Sequence, residues 1–224
     1  RKRESGLMDL HISKNNIVSY SKQIFHVFQE LATQNQIDYT FNCQTEDIQL
    51  YFDHFQMEKV LFNLLSNAFK FSVNGGKISV FIEEFSDYVL IKVTDNGRGI
   101  PLEKQDRLFS SFYQIDSTKG QTGTGIGLAL SKLIVELHSG TIQVNSQPVA
   151  ANKEGSTTFS VKLKKGNTHF DRKTIVEPDP YEKLESGFVQ PHPERVLQQS
   201  PDKNQHIEST ILLIEDNPEI RKLL

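Results

Sequence analysis

Cysteine, long apolar runs and clustered charge are all scarce in this chain of 224 residues. The single cysteine, Cys43, cannot form an internal disulfide, so we expect a structural thiol in the reducing cytoplasm. No apolar run approaches the roughly 20 residues that a membrane-spanning helix requires. The net charge of -3 at pH 7 is close to neutral, and the basic residues are scattered, which argues against a nucleic-acid-binding surface. The sequence therefore predicts a soluble protein with one main domain.

Hydrophobic periodicity predicts a mixture of helices and strands. Apolar residues at helical spacing predict helices over 17–34, 54–71, 102–109 and 125–138. Alternating or continuous apolar residues predict strands over 38–43, 47–52, 77–85, 88–94, 141–146 and 157–163. Asp53 precedes the second helix and is placed to cap it. The pattern predicts an α/β fold, a two-layer sandwich in which helices cover one face of a mixed, mostly antiparallel sheet.

Three other segments lie outside this pattern of helices and strands. Residues 110–122 are polar, and we expect them to be loosely held. Proline and charged residues dominate 166–209, which predicts a linker. Residues 210–224 begin like a buried strand and continue into the start of a helix. They predict the beginning of a second domain.

Two asparagines and a lysine share one face of the second predicted helix. Asn63 and Asn67 are one turn apart, and Lys70 follows on the same face. Amide oxygens are neutral ligands suited to magnesium, and amide N–H groups and lysine can both contact phosphate. Taken alone, the pattern is more typical of an ordinary polar helix face.

Two glycine-containing segments complete a candidate nucleotide pocket. Asp95 ends a predicted strand and is followed by Gly97 and Gly99, so its carboxylate can meet the amino group of adenine at a tight turn. In 123–127, glycines alternate before a helix, so free N–H groups and the positive end of the helix dipole can face phosphates. The spacing matches neither a P-loop nor a dinucleotide-binding fingerprint. Each segment alone could be a simple turn or hinge, but their joint order predicts an ATP pocket.

Between the two glycine-containing segments, the residues 108–113 place Phe109, Phe112 and Tyr113 just before a polar stretch. The order of these four segments resembles the N, G1, F and G2 boxes of sensor histidine kinases, in the wider GHKL group, over residues 15–165. The resemblance implies a Bergerat-type ATP-binding fold, ATP and Mg²⁺ as cofactors, and transfer of the γ-phosphoryl group of ATP to a histidine. Residues 1–14 resemble the end of a dimerisation helix. The segment 210–224 resembles the first strand of a receiver domain, with Glu215 and Asp216 as its incomplete acidic pair.

The resemblance also implies a role for each matching residue. Asn63 and Lys70 would face the phosphates as catalytic residues, Asn67 would bind Mg²⁺, and Asp95 would bind adenine. The residues implied to bind ATP are Asn63, Asn67, Lys70, Asp95, Gly97, Gly99, Ile100, Phe112, Gly123, Thr124, Gly125, Ile126, Gly127, Leu128 and Thr158. The chain departs from the family at Gln114, where many relatives carry arginine, and Lys119 is a candidate substitute for that arginine.

Two alternatives to a kinase remain open from the sequence. A GHKL-type ATPase would need a glutamate where Asn63 stands, because a base must activate the attacking water. A nucleotide-sensing pseudokinase module would bind ATP without transfer. None of the seven histidines is followed directly by an acidic residue, so the acceptor is expected upstream of the chain. His54 and His138 are expected on helix surfaces.

The resemblance finally implies a cellular setting. The partners would be the dimerisation helices of the same protein, with a receiver domain in cis and a homodimeric parent. No direct contact with nucleic acid is expected. The domain would lie in the cytoplasm, and its parent would be anchored in the cell membrane.

Overall fold

A five-stranded mixed sheet covered by helices forms the described domain. The structure is a computed structural model that describes residues 9–115, 124–151 and 154–176. Its elements are β1 (Ser13–Asn16), α1 (Ile17–Val27), α2 (Gln29–Gln34), β2 (Asp38–Cys43), β3 (Gln49–Phe52), α3 (His54–Phe71), β4 (Lys77–Glu84), β5 (Tyr88–Asp95), α4 (Leu102–Gln105), α5 (Gly127–Leu137), β6 (Thr141–Gln147) and β7 (Ser156–Lys164). The sheet has the order β2-β4-β5-β7-β6, with β2 parallel to β4 and the other neighbours antiparallel. The fold class expected from the sequence is confirmed.

One face of the sheet is buried under the helices. Ile78, Val80 and Ile82 alternate along β4 and are each no more than 3% exposed. Because side chains alternate between the two faces of a strand, all three point to the same side. The apolar stripe of α3, which includes Val60 and Leu64, belongs to the same core. The other sheet face carries half-buried and exposed side chains.

The first predicted helix is divided into two. α1 ends at Val27 and α2 begins at Gln29, with Phe28 between them at φ −91° and ψ 0°. The Phe28 ring packs against Phe62 and Phe69 of α3, with ring centroids 4.9 and 5.3 Å away. Such aromatic pairs contribute about 0.5–1.5 kcal/mol beyond their buried area. This packing offsets the loss of helical continuity.

Two later helices are shorter than predicted. α4 is the single turn Leu102–Gln105, and α5 begins at Gly127. Gly125 has a φ of +69°, outside the right-handed helical region, so the helix cannot start there. No helix in the parts of the chain that the structure describes combines the length and the apolar character needed to cross a bilayer.

The described residues before β1 belong to the domain, contrary to the expectation that 1–14 end a dimerisation helix. Ile12 forms a parallel bridge with Ile175, and β1 pairs with β3 in a small antiparallel sheet. The Ile12 side chain is fully buried, and its burial holds the segment 9–14 against the domain. Residues 1–8 lie outside the described part.

The first residues of the predicted linker 166–209 are also part of the domain. The N–H of Ile12 donates to the carbonyl of Thr174 at 2.7 Å, and the N–H of Val176 donates to the carbonyl of Ile12 at 2.8 Å. The segments around Ile12 and Ile175 therefore lie side by side in the described domain. The rest of the predicted linker and the predicted receiver start lie outside the described residues.

His138 is buried, not on a helix surface as expected. It follows α5 and is 1% exposed. Its Nε2 accepts a hydrogen bond from the N–H of Asp53 at 3.0 Å, so Nδ1 carries the proton and donates to the carbonyl of Ile134 at 2.7 Å. Burial lowers the pKa of the imidazole. Since Asp53 also caps α3 by accepting from the N–H of Gln56, His138 links the end of α5 to the start of α3.

Replacing His138 with alanine is expected to lower the free energy of unfolding by about 2–3 kcal/mol, because it leaves a cavity and an unpaired N–H at Asp53. His26→Ala, at an exposed position on α1, is the control and should cost less than about 0.5 kcal/mol. Urea denaturation measures both. Because the folded-state pKa is lowered, the unfolded state binds the proton first, so the wild type should lose stability below about pH 6.5. If His138→Ala and His26→Ala lowered the free energy of unfolding by the same amount, this role for His138 would be contradicted.

Candidate functional site

A cavity of about 300 Å³ is lined by residues of all the sequence blocks described above. Its described lining residues are Asn63, Ser66, Asn67, Lys70, Phe71, Asp95, Arg98, Gly99, Ile100, Leu108, Tyr113, Gln114, Ile115, Thr124, Gly125, Gly127, Leu128, Thr157 and Phe159. They come together because α3 packs against both α5 and β5. The volume is at the lower end of the range of roughly 300–1,000 Å³ for sites that bind small molecules.

The two asparagines of α3 form a polar wall. Asn63 Nδ2 donates to Ser131 Oγ of α5 at 2.9 Å, and Asn67 Nδ2 lies 3.5 Å from Asn63 Oδ1. A Cβ added to Gly127 would lie 2.2 Å from Asn63 Oδ1, so a larger residue there would displace the Asn63 side chain from its present position. The unpaired N–H groups at the start of α5 therefore lie next to the asparagines, where an anionic ligand can meet both.

Asp95 is the buried carboxylate of the cavity, at 4% exposure. Its Oδ1 accepts a hydrogen bond from the N–H of Gly97 at 2.9 Å. Burial raises the pKa of the carboxyl to about 6, and the hydrogen bond from Gly97 opposes the rise. Gly97 does not line the cavity, but a Cβ there would lie 2.2 Å from the carbonyl oxygen of Phe71. Glycine is therefore required for the turn that follows Asp95.

The strand register brings Thr157, not Thr158, to the cavity. Thr157 is the register partner of Asp95, and its Oγ1 lies 2.9 Å from Ser146 Oγ. Thr158 is paired with Thr94 on the opposite face, with the two hydroxyl oxygens 3.0 Å apart. Neighbouring residues of a strand face opposite sides, so the prediction that Thr158 acts near Asp95 was wrong by one residue.

Two cationic side chains lie over the same aromatic ring of the cavity wall. Lys70 Nζ is 5.4 Å and Arg98 Cζ is 4.9 Å from the ring centroid of Phe71. The neutral side chain of Gln114 lines the same cavity. Among the described lining residues, the positive charge therefore comes from α3 and from the turn after β5.

Most of the predicted binding residues line the cavity, with three exceptions besides Thr158. Phe112 and Ile126 are 76% and 41% exposed and do not line it, and Gly97 lies behind it. The backbone of Phe112 nevertheless contacts the glycine loop, since its N–H donates to the carbonyl of Gly125 at 2.9 Å. Predicted residues that fall outside the described part of the chain are Gly123, Glu215 and Asp216, together with Lys119, the candidate substitute for the missing family arginine.

Several lining residues were not identified from the sequence. Ser66 follows Asn63 by three positions on α3, so helical spacing could have identified it. Arg98 stands between Gly97 and Gly99, which were both predicted to bind ATP, so its position in that turn could have identified it as well. Leu108, Tyr113, Thr157 and Phe159 lie within sequence motifs but were not assigned to ATP binding. Phe71 and Ile115 carry no local signal and reach the cavity through packing.

Comparison with known proteins identifies the family. A model of the family described as histidine kinase-, DNA gyrase B- and HSP90-like ATPase matches residues 52–167, just over half of the chain. The chain belongs to this family. Every described lining residue of the cavity lies within the matched range.

Three individual relatives are histidine kinases, one of the classes that the family includes. Histidine kinase P4 of Formosa agariphila is 32% identical over 99% of this chain and 16% of its own length. Hybrid signal transduction histidine kinase D of Dictyostelium discoideum is 32% identical over 77% of this chain and 11% of its own length. The nucleotide-free catalytic domain of histidine kinase ThkA has a TM-score of 0.61 at 26% identity, covering 70% of this chain and 99% of that domain. The chain thus spans less than a fifth of the two curated relatives.

Within the histidine kinase-, gyrase B- and HSP90-like ATPase family, this chain contains an ATP-binding catalytic domain of the histidine kinase type. The prediction of a GHKL sensor histidine kinase domain is confirmed at this level. The roles of individual cavity residues stay predictions.

Proposed function

We propose that this chain is the catalytic domain of a sensor histidine kinase and transfers the γ-phosphoryl group of ATP to a histidine of the same parent protein. The observation that carries the proposal is the amide at position 63. Asn63 lines the cavity and cannot take a proton from water, and among the described lining residues only Asp95 is a carboxylate. A kinase needs no water activation, because an imidazole from another helix is the nucleophile.

In the proposed reaction the domain positions ATP and balances its charge. Asp95 accepts a hydrogen bond from the amino group of adenine, which selects ATP over GTP. The N–H groups around Gly125 and Gly127 face the phosphates, and Lys70 adds a positive charge. The imidazole nitrogen forms a bond to the γ-phosphorus while the bond to the β–γ bridging oxygen breaks. ADP leaves, and the ring gives up its proton to solvent.

The asparagine wall fits a magnesium ion. Within the described residues, no group of three His, Cys, Asp or Glu side chains could hold a metal by itself. Mg²⁺ in nucleotide sites commonly takes one or two protein oxygens and completes its shell with phosphate oxygens and water. Asn67 offers its Oδ1, because its amide nitrogen is turned towards Asn63. A bound ion would supply neutralisation of the phosphate charge.

We place this domain in a larger hybrid kinase. The tail 210–224 resembles a receiver's first strand with the acidic pair Glu215 and Asp216, and one relative is named a hybrid signal transduction histidine kinase. Dimerisation helices of a homodimeric parent would supply the acceptor histidine, and the receiver would act in cis. The parent is proposed to be membrane-anchored, with this domain in the cytoplasm.

Incubation with radiolabelled Mg-ATP tests the proposed reaction. The chain is expected to bind Mg-ATP but to acquire no acid-labile label, because the acceptor histidine is on another segment. Adding the dimerisation domain of the parent should produce acid-labile label on that domain, and a variant of it without the acceptor histidine is the control. Steady release of inorganic phosphate without an acceptor would support an ATPase instead. Binding without any transfer would support a pseudokinase module.

A further inference from the structure

We propose that Arg98 is a second cationic contact to the phosphate chain of the nucleotide, held in position by the ring of Phe71. The inference rests on the proposed function, because it assigns a further residue to the same ATP site. Many related kinases carry arginine at the position of Gln114, and this chain has a neutral side chain there. Arg98 would supply the positive charge that Gln114 lacks.

The charge of the cavity supports the assignment. Lys70 and Arg98 are the two cations among the described lining residues. Mg-ATP keeps a net charge of about −2 after the metal has neutralised part of the triphosphate, so one lysine leaves much of that charge uncompensated. A guanidinium can bind phosphate oxygens through two parallel N–H donors, which a carboxamide such as Gln114 cannot replace.

The guanidinium of Arg98 and the ammonium of Lys70 both lie over the ring of Phe71. Both cations lie about 5 Å from the centroid of the Phe71 ring, at 4.9 Å for Arg98 Cζ and 5.4 Å for Lys70 Nζ, so they are within about 10 Å of each other. A guanidinium over an aromatic face is attracted by the electrons of the ring, which restricts where the side chain lies. Phe71 therefore holds Arg98 at a part of the cavity wall that Lys70 also lines.

The backbone around Arg98 is held in place. Its carbonyl accepts a hydrogen bond from the N–H of Val149 at 3.1 Å. Gly155 approaches the same peptide so closely that a Cβ there would lie 2.9 Å from the carbonyl oxygen of Arg98. These contacts fix the point from which the long side chain extends over Phe71.

Calorimetric titration of the full chain with adenosine, AMP, ADP and ATP, each with Mg²⁺, tests the contact. Arg98→Gln is expected to weaken ATP binding about tenfold or more, the effect of losing a hydrogen bond to a charged group, and to leave adenosine binding unchanged. Arg98→Lys should retain part of the ATP affinity, because lysine keeps the positive charge but lacks the two parallel N–H donors of the guanidinium. Arg172→Gln, at an exposed position outside the cavity, is the matched control and should bind all four ligands like the wild type.

A second measurement tests the part played by the ring. In a Phe71→Leu background, Arg98→Gln should change ATP affinity less than it does in the wild type, because the guanidinium has already lost its support. An equal change in both backgrounds would refute positioning by Phe71. Unchanged ATP affinity in Arg98→Gln, or an equal loss for adenosine and ATP, would overturn the phosphate contact. If the wild type did not bind ATP at all, the proposed function itself would be wrong.

Discussion

Asn67→Ala is expected to reduce phosphotransfer to the dimerisation domain of the parent by about 10²- to 10³-fold, the range found when one group that stabilises transition-state charge is removed. Asn67 Oδ1 is the proposed magnesium ligand, and the variant would lose the side-chain oxygen that would hold the ion at this wall. Adenosine affinity should stay near the wild-type value, because the proposed contact to the base is made by Asp95 at the end of β5.

Transfer of radiolabel at saturating Mg-ATP measures the first effect, and calorimetry with adenosine measures the second. Asn145→Ala is the control, since it makes the same change at an exposed position of β6. Wild-type transfer by Asn67→Ala would contradict the metal-ligand role. Loss of adenosine binding would show that Asn67→Ala disturbs the structure of the cavity and not only the proposed metal site.

Asp95→Asn is expected to weaken ATP binding about 10- to 100-fold while it stabilises the nucleotide-free protein. The loss of affinity follows because a hydrogen bond to a charged acceptor contributes about 1.5–3 kcal/mol. The preference for ATP over GTP should narrow at the same time. The gain in stability follows because the wild type holds a buried carboxylate whose pKa is raised to about 6. Asparagine has nearly the same shape and removes that charge.

The stability effect of Asp95 has a definite pH dependence. The pKa of the carboxyl is raised from 3.8 to about 6 in the folded protein, so folding binds a proton between these values. Each pKa unit corresponds to about 1.4 kcal/mol, so the ionised carboxylate costs about 2–3 kcal/mol at pH 7. The advantage of Asp95→Asn should be full above about pH 6 and should disappear as the pH falls towards 4.

Thermal unfolding across pH 4–8 measures the stability difference, and calorimetry at pH 7.5 measures the loss of ATP affinity. Asp87→Asn, in the exposed turn between β4 and β5, is the control for removing one carboxylate. Unchanged nucleotide selectivity in Asp95→Asn would refute the adenine contact. A destabilised variant at pH 7 would contradict the effect of burial on the carboxyl.

Elements with strong local signals were predicted well from the sequence. α3 spans the predicted residues 54–71, because a continuous apolar stripe and the capping carboxylate of Asp53 are both encoded within the segment. The strands of the hairpin formed by β4 and β5 end within one residue of their predicted limits. The order of the four blocks likewise identified most of the cavity.

Errors arose where contacts between distant segments decide the outcome. Phe28 interrupts a periodic helix because its ring packs on α3. His138 looks polar and terminal in the sequence, yet it is buried against the N–H of Asp53, 85 residues away. Ile12 forms a backbone bridge with Ile175. This contact adds residues before position 15 and after position 165 to the domain, beyond its predicted limits.

The sequence by itself determined most of the secondary-structure elements, the family likeness and most of the chemical groups of the cavity, because periodicity, capping and motif order are local properties of the chain. The tertiary structure alone decided which threonine of β7 faces Asp95, since strand register sets the orientation of every side chain. It also decided that Arg98 and Lys70 lie over the ring of Phe71. Such contacts join the turn after β5 to the end of α3, and only the packed core fixes the distance between them.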